Sequence, residues 1–221
     1  MINIHSNRFE SRVSNKIRNI IFDLGNVLIP IDFTLTHLAF RKLSDDFSDD
    51  SFSFLRKQNL FYEFETGLIS PVDFRNAINS ALQKPLANDL IDEAWNALLL
   101  DLPEENLRIL QKLSLKYRLF LLSNTNAIHV DKFNHQVTKD FNINFESLFE
   151  KVYYSHVLHL RKPDCEIYKY VLNDSKLDCE ETLFIDDVAQ NIEGAQQVGL
   201  LTHHLKPNEK IADLFNIDSS T

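Results

Sequence analysis

The stretch Arg18-Asn-Ile-Ile-Phe-Asp23 is an almost unbroken apolar run that ends in a carboxylate. Runs of this kind are typical of strands that helices cover on both faces of a parallel sheet. Segments with helical periodicity separate it from four later runs, at residues 118–123, 151–155, 182–186 and 200–205. The alternation predicts an α/β fold with a Rossmann-like parallel sheet, a three-layer αβα core and right-handed crossovers.

The interval between the first two runs breaks this alternation, because more than ninety residues separate Asp23 from Arg118. One crossover needs far fewer residues, and the interval has the spacing of amphipathic helices. Ser70-Pro71-Val72-Asp73 predicts a helix start, with Ser as N-cap and Pro in the first turn. The predicted apolar helix faces are Leu35, Leu38, Ala39 and Leu43 on one helix, and Ile91, Ala94, Trp95 and Leu98 on another.

The helical interval therefore predicts a second structural unit inserted after the first strand. We expect an all-helical cap over residues 34–100, and an α/β core formed by residues 17–33 and 101–221. Residues 1–16 are polar and lack the apolar segment of a signal peptide, so we expect a flexible tail.

Composition excludes several classes of function. The chain has 221 residues and a formal charge of −9, which disfavours a nucleic-acid-binding protein. Its four glycines do not form the GxxxxGK[ST] or GxGxxG nucleotide motifs. Two cysteines, Cys165 and Cys179, are too few for a disulfide framework or a Cys-rich zinc site. No apolar run reaches the roughly 18 residues that span a bilayer, so we expect a cytoplasmic protein without a membrane partner.

Polar side chains stand where the predicted strands end, and in an open parallel sheet ligands bind at that edge. These residues are Asp23, Ser123-Asn124 and Asp186-Asp187, with Lys162 shortly after the third strand. Mg²⁺ prefers an oxygen shell, and it would relieve the repulsion between a carboxylate nucleophile and a phosphate. Hydroxyl, amide and ammonium groups suit the remaining phosphate oxygens. Each residue alone is common in caps and turns, but together they favour phosphoryl transfer through Asp23.

Four segments, IIFDLGNVLI, FLLSNTN, RKPDCEIY and LFIDDVAQNIEGA, resemble the four motifs of the haloacid dehalogenase superfamily of hydrolases, in the same order. The resemblance runs from about Arg18 to Leu205, and the helical insert lies where that family places its first-type cap. Within the family, the chain is most similar to bacterial hexose-phosphate phosphatases of the glucose-1-phosphate type. This implies a Mg²⁺-dependent phosphatase for a small phosphorylated metabolite, with a sugar phosphate as the expected substrate.

The resemblance also implies a role for each motif residue. Asp23 would be the nucleophile, and Lys162 would offset the charge of the transition state. Ser123 and Asn124 would bind the phosphate, together with Lys162. The residues implied in the metal site are Asp23, the carbonyl of Gly25, Asp186 and Asp187, with Asn191 as a further polar residue of the acidic motif.

Gly25 departs from the common Asp-x-Asp motif, whose second Asp is the general acid and base. General acid–base catalysis typically contributes about 10²–10⁴-fold, so two alternatives stay open. One is a weak or inactive phosphate-binding or regulatory module. The other is a 2-haloacid dehalogenase, although such an enzyme needs no metal and would not need two adjacent carboxylates. A substitute acid would come from the cap or from Asp32, and the oligomeric state is left open.

Gly194 lies within a predicted helix, where glycine costs up to about 1 kcal/mol relative to alanine. We therefore expect another element to approach the helix closely there, with the loop of the first motif as the candidate.

Overall fold

A computed structural model describes residues 16–43, 59–82 and 85–215. Its sheet has five parallel strands in the order β3-β2-β1-β4-β5, so the predicted α/β fold is confirmed. All but residue 16 of the predicted N-terminal tail lies outside the described residues. The strands are β1 (Asn19–Phe22), β2 (Arg118–Ser123), β3 (Lys151–Tyr154), β4 (Thr182–Asp186) and β5 (Leu201–His204).

Helices alternate with the strands after β2, and only helices lie in the described residues between β1 and β2. The first four are α1 (Phe33–Leu43), α2 (Leu60–Glu65), α3 (Pro71–Ser80) and α4 (Asn88–Asn96). The later ones are α5 (Glu104–Ser114), α6 (Ala127–Phe141), α7 (Ser155–Leu158), α8 (Cys165–Asp174), α9 (Ala189–Gln197) and α10 (Ile211–Leu214), with 3-10 turns at Phe145–Leu148 and Cys179–Glu181.

Strand β1 lies in the middle of the sheet and is buried on both faces. Ile20 and Phe22 point into one apolar cluster, whereas Ile21 points into another, since successive strand residues face opposite sides. The first cluster includes Leu107, Leu110 and Leu113 of α5 and Phe133 of α6. The second includes Ile167, Tyr168 and Val171 of α8 and Ile192 of α9. Helices thus cover both faces, and the core has three layers.

A third apolar cluster holds helices α1–α4 together around Trp95, which packs on Phe61, Phe74 and the ring of His129. The predicted buried face of α4 is confirmed. The predicted face of α1 is wrong at Leu38, which is 49% exposed, because the helix instead buries Thr36 and Phe40. The Thr36 hydroxyl is accommodated by donating to the carbonyl of Trp95 (3.0 Å). The bounds of the cap stay a prediction.

The start of α3 has the predicted chemistry. Ser70 accepts a hydrogen bond from the backbone N–H of Asp73, and the carboxylate of Asp73 accepts one from the backbone N–H of Ser70. This reciprocal pair satisfies two of the N–H groups that a helix start leaves free. Across the described ranges, no helix is both long and apolar enough to cross a bilayer.

Candidate functional site

Asp23 and Lys162 form the buried centre of the site. Asp23 directly follows β1, and its backbone N–H donates to the carbonyl of Ile185 on β4 (2.9 Å). The Lys162 ammonium is 2.6 Å from Asp23 Oδ1 and 2.7 Å from Asp186 Oδ2. Lys162 is only 1% exposed, so its charge is balanced by these two carboxylates rather than by water. The sheet and the segment after α7 therefore bring together the three residues predicted to meet.

The side chain of Asn124 fixes the backbone of Lys162. Asn124 Oδ1 accepts from the Lys162 N–H, and Asn124 Nδ2 donates to the Lys162 carbonyl, both at 2.9 Å. The amide thus has a partner at each end. These bonds use the Asn124 side chain to position Lys162, and the predicted contact of Asn124 with phosphate stays a prediction. Ser123 lies buried at the end of β2, at the same edge of the sheet as Asp23.

Asp186 is fully buried, and each of its carboxylate oxygens accepts hydrogen bonds from two donors. Oδ1 accepts from the backbone N–H of Val188 (2.8 Å) and from Asn191 Nδ2 (3.0 Å). Oδ2 accepts from Lys162 Nζ and from the same Asn191 nitrogen (3.0 Å). A carboxylate oxygen has about two lone-pair positions, so each oxygen of Asp186 is already occupied. Asn191, predicted as a supporting residue, holds this carboxylate in place.

Asp187 completes an acidic cluster with Asp23 and Asp186, in which one potential ligand atom from each residue lies within 4.8 Å of the others. Asp187 is only half-buried, and its Oδ2 accepts from Asn26 Nδ2 (3.2 Å). Its backbone carbonyl is 3.0 Å from His204 Nε2. Neither Asn26 nor His204 was predicted from the sequence as a residue of the site. The signal for Asn26 was its place directly after Gly25, where the chain must turn.

Electrostatics favour a cation at this cluster. Burial raises the pKa of Asp23 to about 7, the nearby Asp186 adds to the rise, and Lys162 opposes it. Burial also raises the pKa of Asp187, against the hydrogen bond from Asn26. Burial alone lowers the pKa of Lys162, but Asp23 and Asp186 outweigh it, so Lys162 is charged. Three carboxyl groups thus face one ammonium group, an excess of negative charge that a divalent cation would neutralise.

The end of α2 packs directly against the segment that leads to Lys162. The Ser155 hydroxyl is 2.5 Å from the carbonyl of Glu65 and accepts from the backbone N–H of Thr125 (2.9 Å), two residues after Ser123. Arg161 pairs with the Glu65 carboxylate (3.2 Å). His159 Nδ1 is 2.8 Å from the carbonyl of Thr66, to which it must donate. The end of α2 therefore contacts the core at the segments that follow β2 and β3.

Gly25 lacks the usual acid, and Asp32 is one of the two predicted sources of a substitute, the other being the cap. Gly25 has no side chain, and a Cβ there would lie 2.9 Å from Ile31 Cδ1. Asp32 Oδ1 accepts from the Thr34 hydroxyl (2.6 Å) and from the Thr34 N–H (2.9 Å), and these bonds lower the pKa of Asp32. Asp32 therefore stabilises the start of α1 as a carboxylate and is a poor substitute acid.

Gly194 shows the predicted close approach, but the neighbour differs from the expected one. A Cβ at Gly194 would lie 2.2 Å from the carbonyl oxygen of Pro163, the residue after Lys162. Helix α9 therefore packs against the segment that carries Lys162, and the loop of the first motif is not the neighbour. Only glycine permits this contact without a shift of backbone.

Gly194→Ala is expected to destabilise the protein by about 1–3 kcal/mol, because the added methyl group overlaps backbone that cannot move freely. Urea denaturation measures the effect. Gln190→Ala is the matched control, since Gln190 is an exposed residue of the same helix and should change stability by less than about 0.5 kcal/mol. If Gly194→Ala instead stabilised the protein, as alanine does in an open helix, the close contact with Pro163 would be wrong.

The chain is similar to known proteins over most of its length. A model of the haloacid dehalogenase-like hydrolases matches residues 17–199. A curated relative, D-ribitol-5-phosphate phosphatase from Bacteroides thetaiotaomicron, is 29% identical over 189 residues, which are 84% of this chain and 90% of the relative.

Solved structures of haloacid dehalogenase-like proteins are also similar to this chain. A haloacid dehalogenase family enzyme from Bacteroides thetaiotaomicron, in complex with magnesium and inorganic phosphate, is 37% identical with a TM-score of 0.82, covering 90% of this chain and 99% of the other. A haloacid dehalogenase-like hydrolase from Porphyromonas gingivalis is 31% identical with a TM-score of 0.83, covering 91% and 98%.

Proposed function

The chain belongs to the haloacid dehalogenase-like hydrolases, and we propose that it is a Mg²⁺-dependent phosphatase that hydrolyses a small phosphorylated metabolite through an aspartyl-phosphate on Asp23. The observation that carries the proposal is the convergence of the Asp23, Asp186 and Asp187 carboxylates within 4.8 Å beside the buried Lys162 ammonium. The curated relative acts on a sugar-alcohol phosphate, and a solved relative holds magnesium and phosphate, which supports both the substrate class and the metal.

The residues present fit a magnesium ion, because they offer oxygen ligands and an excess of negative charge. We assign Asp187, Asp23 and the carbonyl of Gly25 as its ligands. Asp186, which was predicted as a ligand too, is assigned instead to Lys162, since each of its oxygens already accepts from two donors. A bound Mg²⁺ would neutralise charge on the phosphate and on the nucleophile.

The remaining groups then have defined roles in the reaction. An oxygen of Asp23 bonds to phosphorus while the bond from phosphorus to the leaving oxygen breaks, and the leaving oxygen takes up a proton from water. Water afterwards attacks the phosphorus of the aspartyl-phosphate, which releases phosphate and restores Asp23. Lys162 offsets the negative charge that develops on the phosphoryl oxygens, and Ser123 donates to one of them. Asn124 holds the backbone of Lys162, and Asp186 holds its ammonium group.

The dehalogenase alternative is less consistent with the site. Displacing halide from carbon requires no cation, yet this chain places a third carboxylate, Asp187, beside Asp23 and Asp186. The alternative of a phosphate-binding module rests on Gly25, which leaves the motif without its usual acid. It predicts phosphate binding without turnover.

The cytoplasmic location and the absence of a nucleic-acid partner remain predictions.

A substrate panel tests the proposal and separates the three functions. The purified protein is incubated with sugar phosphates, sugar-alcohol phosphates that include D-ribitol 5-phosphate, and 2-chloropropionate, each with Mg²⁺ or with EDTA. We expect release of inorganic phosphate from at least one phosphate ester, and its loss in EDTA. Chloride release that persists in EDTA would identify a dehalogenase. Phosphate binding without release from any ester would identify a binding module.

A further inference from the structure

Asn26 makes two side-chain contacts that connect separate parts of the molecule. Its Nδ2 donates to Asp187 Oδ2 (3.2 Å), and its Oδ1 accepts from the backbone N–H of Ile31 (3.0 Å). The partners fix the orientation of the amide, since a carboxylate only accepts and a backbone N–H only donates. The residue has a φ of 54°, in the left-handed region that Asn tolerates better than most residues.

Ile31 belongs to one of the two linker segments, residues 30–32 and 98–100, that join helices α1–α4 to the core. The linker segments pair with each other. Ile31 and Leu99 form an antiparallel bridge, the Asp32 N–H donates to the Leu98 carbonyl (2.9 Å), and the Leu100 N–H donates to the Pro30 carbonyl (3.2 Å). The hydrogen bond between Asn26 and Ile31 therefore connects Asn26 to both paired linker segments.

We propose that Asn26 is a positioning residue that orients the Asp187 carboxylate for the metal and couples metal binding to the two linker segments. The inference rests on the proposed function, in which Asp187 is a magnesium ligand. By holding Oδ2, the amide leaves Oδ1 free and limits rotation of the carboxylate. Groups that orient a metal ligand in this way typically change metal affinity by about 10–100-fold when they are removed.

The coupling follows because one side-chain amide, that of Asn26, contacts both Asp187 and Ile31. Binding of a cation at Asp187 restrains that carboxylate, the carboxylate restrains Asn26 Nδ2, and the same rigid amide plane restrains the hydrogen bond from Ile31 N–H. Mg²⁺ should thus slow hydrogen exchange of the Ile31 amide, although this amide does not touch the metal. A residue that served only to shape the turn would not transmit such an effect.

Asn26→Gly is the variant that removes only the amide, because glycine adopts a φ near 54° without strain. Asn142→Gly is its matched control, since Asn142 has the same φ of 54° at the C-cap of α6. Calorimetric titration with Mg²⁺ and hydrogen exchange of the peptide containing Ile31 are measured for the parent and both variants. We expect Asn26→Gly to bind Mg²⁺ about 10–100-fold more weakly and to lose the protection of Ile31 by Mg²⁺, while Asn142→Gly changes neither. Thermal unfolding of each variant confirms that it is folded.

Two outcomes separate this inference from the proposed function. Equal Mg²⁺ affinity in the parent and in Asn26→Gly would overturn the positioning role, and protection of Ile31 that persists in the variant would overturn the coupling. A parent that binds no Mg²⁺, or an Asp187→Asn variant that binds it as tightly as the parent, would instead contradict the metal site itself.

Discussion

Asp23→Asn is expected to lower kcat by at least about 10⁴-fold, a loss of about 5 kcal/mol of transition-state stabilisation. An amide is a poor nucleophile for phosphorus, and it would also be a weaker ligand for Mg²⁺ than a carboxylate. The fold should survive, because Lys162 keeps its contact with Asp186 Oδ2 (2.7 Å). The measurement is phosphate release under single-turnover conditions with the best ester of the panel. Acid quenching of the parent, but not of the variant, should trap a phosphorylated peptide that contains residue 23.

The same variant should be more stable than the parent at neutral pH. The pKa of Asp23 is raised from its ordinary value of 3.8 to about 7 in the folded protein, chiefly by burial. The folded state therefore binds this proton more tightly than the unfolded state does, so its contribution to stability is present at low pH and is lost as the pH rises through about 7. Asparagine removes this dependence. Without Mg²⁺, the difference in Tm between variant and parent should increase from pH 5 to pH 8.

Asp101→Asn is the control for both effects, since Asp101 is exposed and belongs to neither the sheet nor the acidic cluster. It should alter neither kcat nor the pH dependence of Tm. Turnover by Asp23→Asn within tenfold of the parent would contradict an aspartyl-phosphate at this position. A Tm difference that shrinks as the pH rises would contradict the electrostatic description of the site.

The sheet and the site were predictable because both depend on short-range patterns. Apolar runs of four to six residues mark strands buried on two faces, and their polar last residues meet because parallel strands end at one edge. The convergence of Asp23, Asp186 and Lys162 follows from that rule together with the family resemblance.

The parts that the sequence did not predict depend on contacts between distant segments. Asn124 reaches the backbone of Lys162, thirty-eight residues later, and no local pattern indicates that its amide is used there. The buried face of α1 includes Thr36, whose hydroxyl has a partner only because α4 presents the Trp95 carbonyl. Periodicity treats a threonine as polar and assigns Leu38 to the core instead. Such hydrogen-bond partners can be identified only when the packing of the helices and strands is known.

The absence of a side chain at Gly25 has a consequence for the choice of substrate. Asp32 accepts two hydrogen bonds from Thr34 with a lowered pKa. Burial raises the pKa of Glu65, but this carboxylate pairs with Arg161. Neither group is a free acid beside Asp23. An ester whose leaving group needs little protonation should therefore react faster than one that releases an alkoxide. The difference in rate can reach roughly 10²–10⁴-fold, which is what general acid catalysis contributes.

Gly25→Asp combined with Ile31→Val tests this consequence directly. Valine lacks the Cδ1 atom of Ile31 that lies 2.9 Å from a Cβ at position 25, so the double variant makes room for the carboxyl group of the usual motif. We expect it to raise kcat/KM for an alkyl phosphate about 10-fold or more relative to p-nitrophenyl phosphate, since only the alkoxide benefits from a proton donor. Ile31→Val alone is the control and should leave the ratio of the two rates unchanged. Because both rates are measured on the same enzyme, differences in concentration or folding cancel in that ratio. An unchanged ratio in the double variant would show that the protein already supplies a proton from another group, and Gly25 would then not determine the choice of substrate.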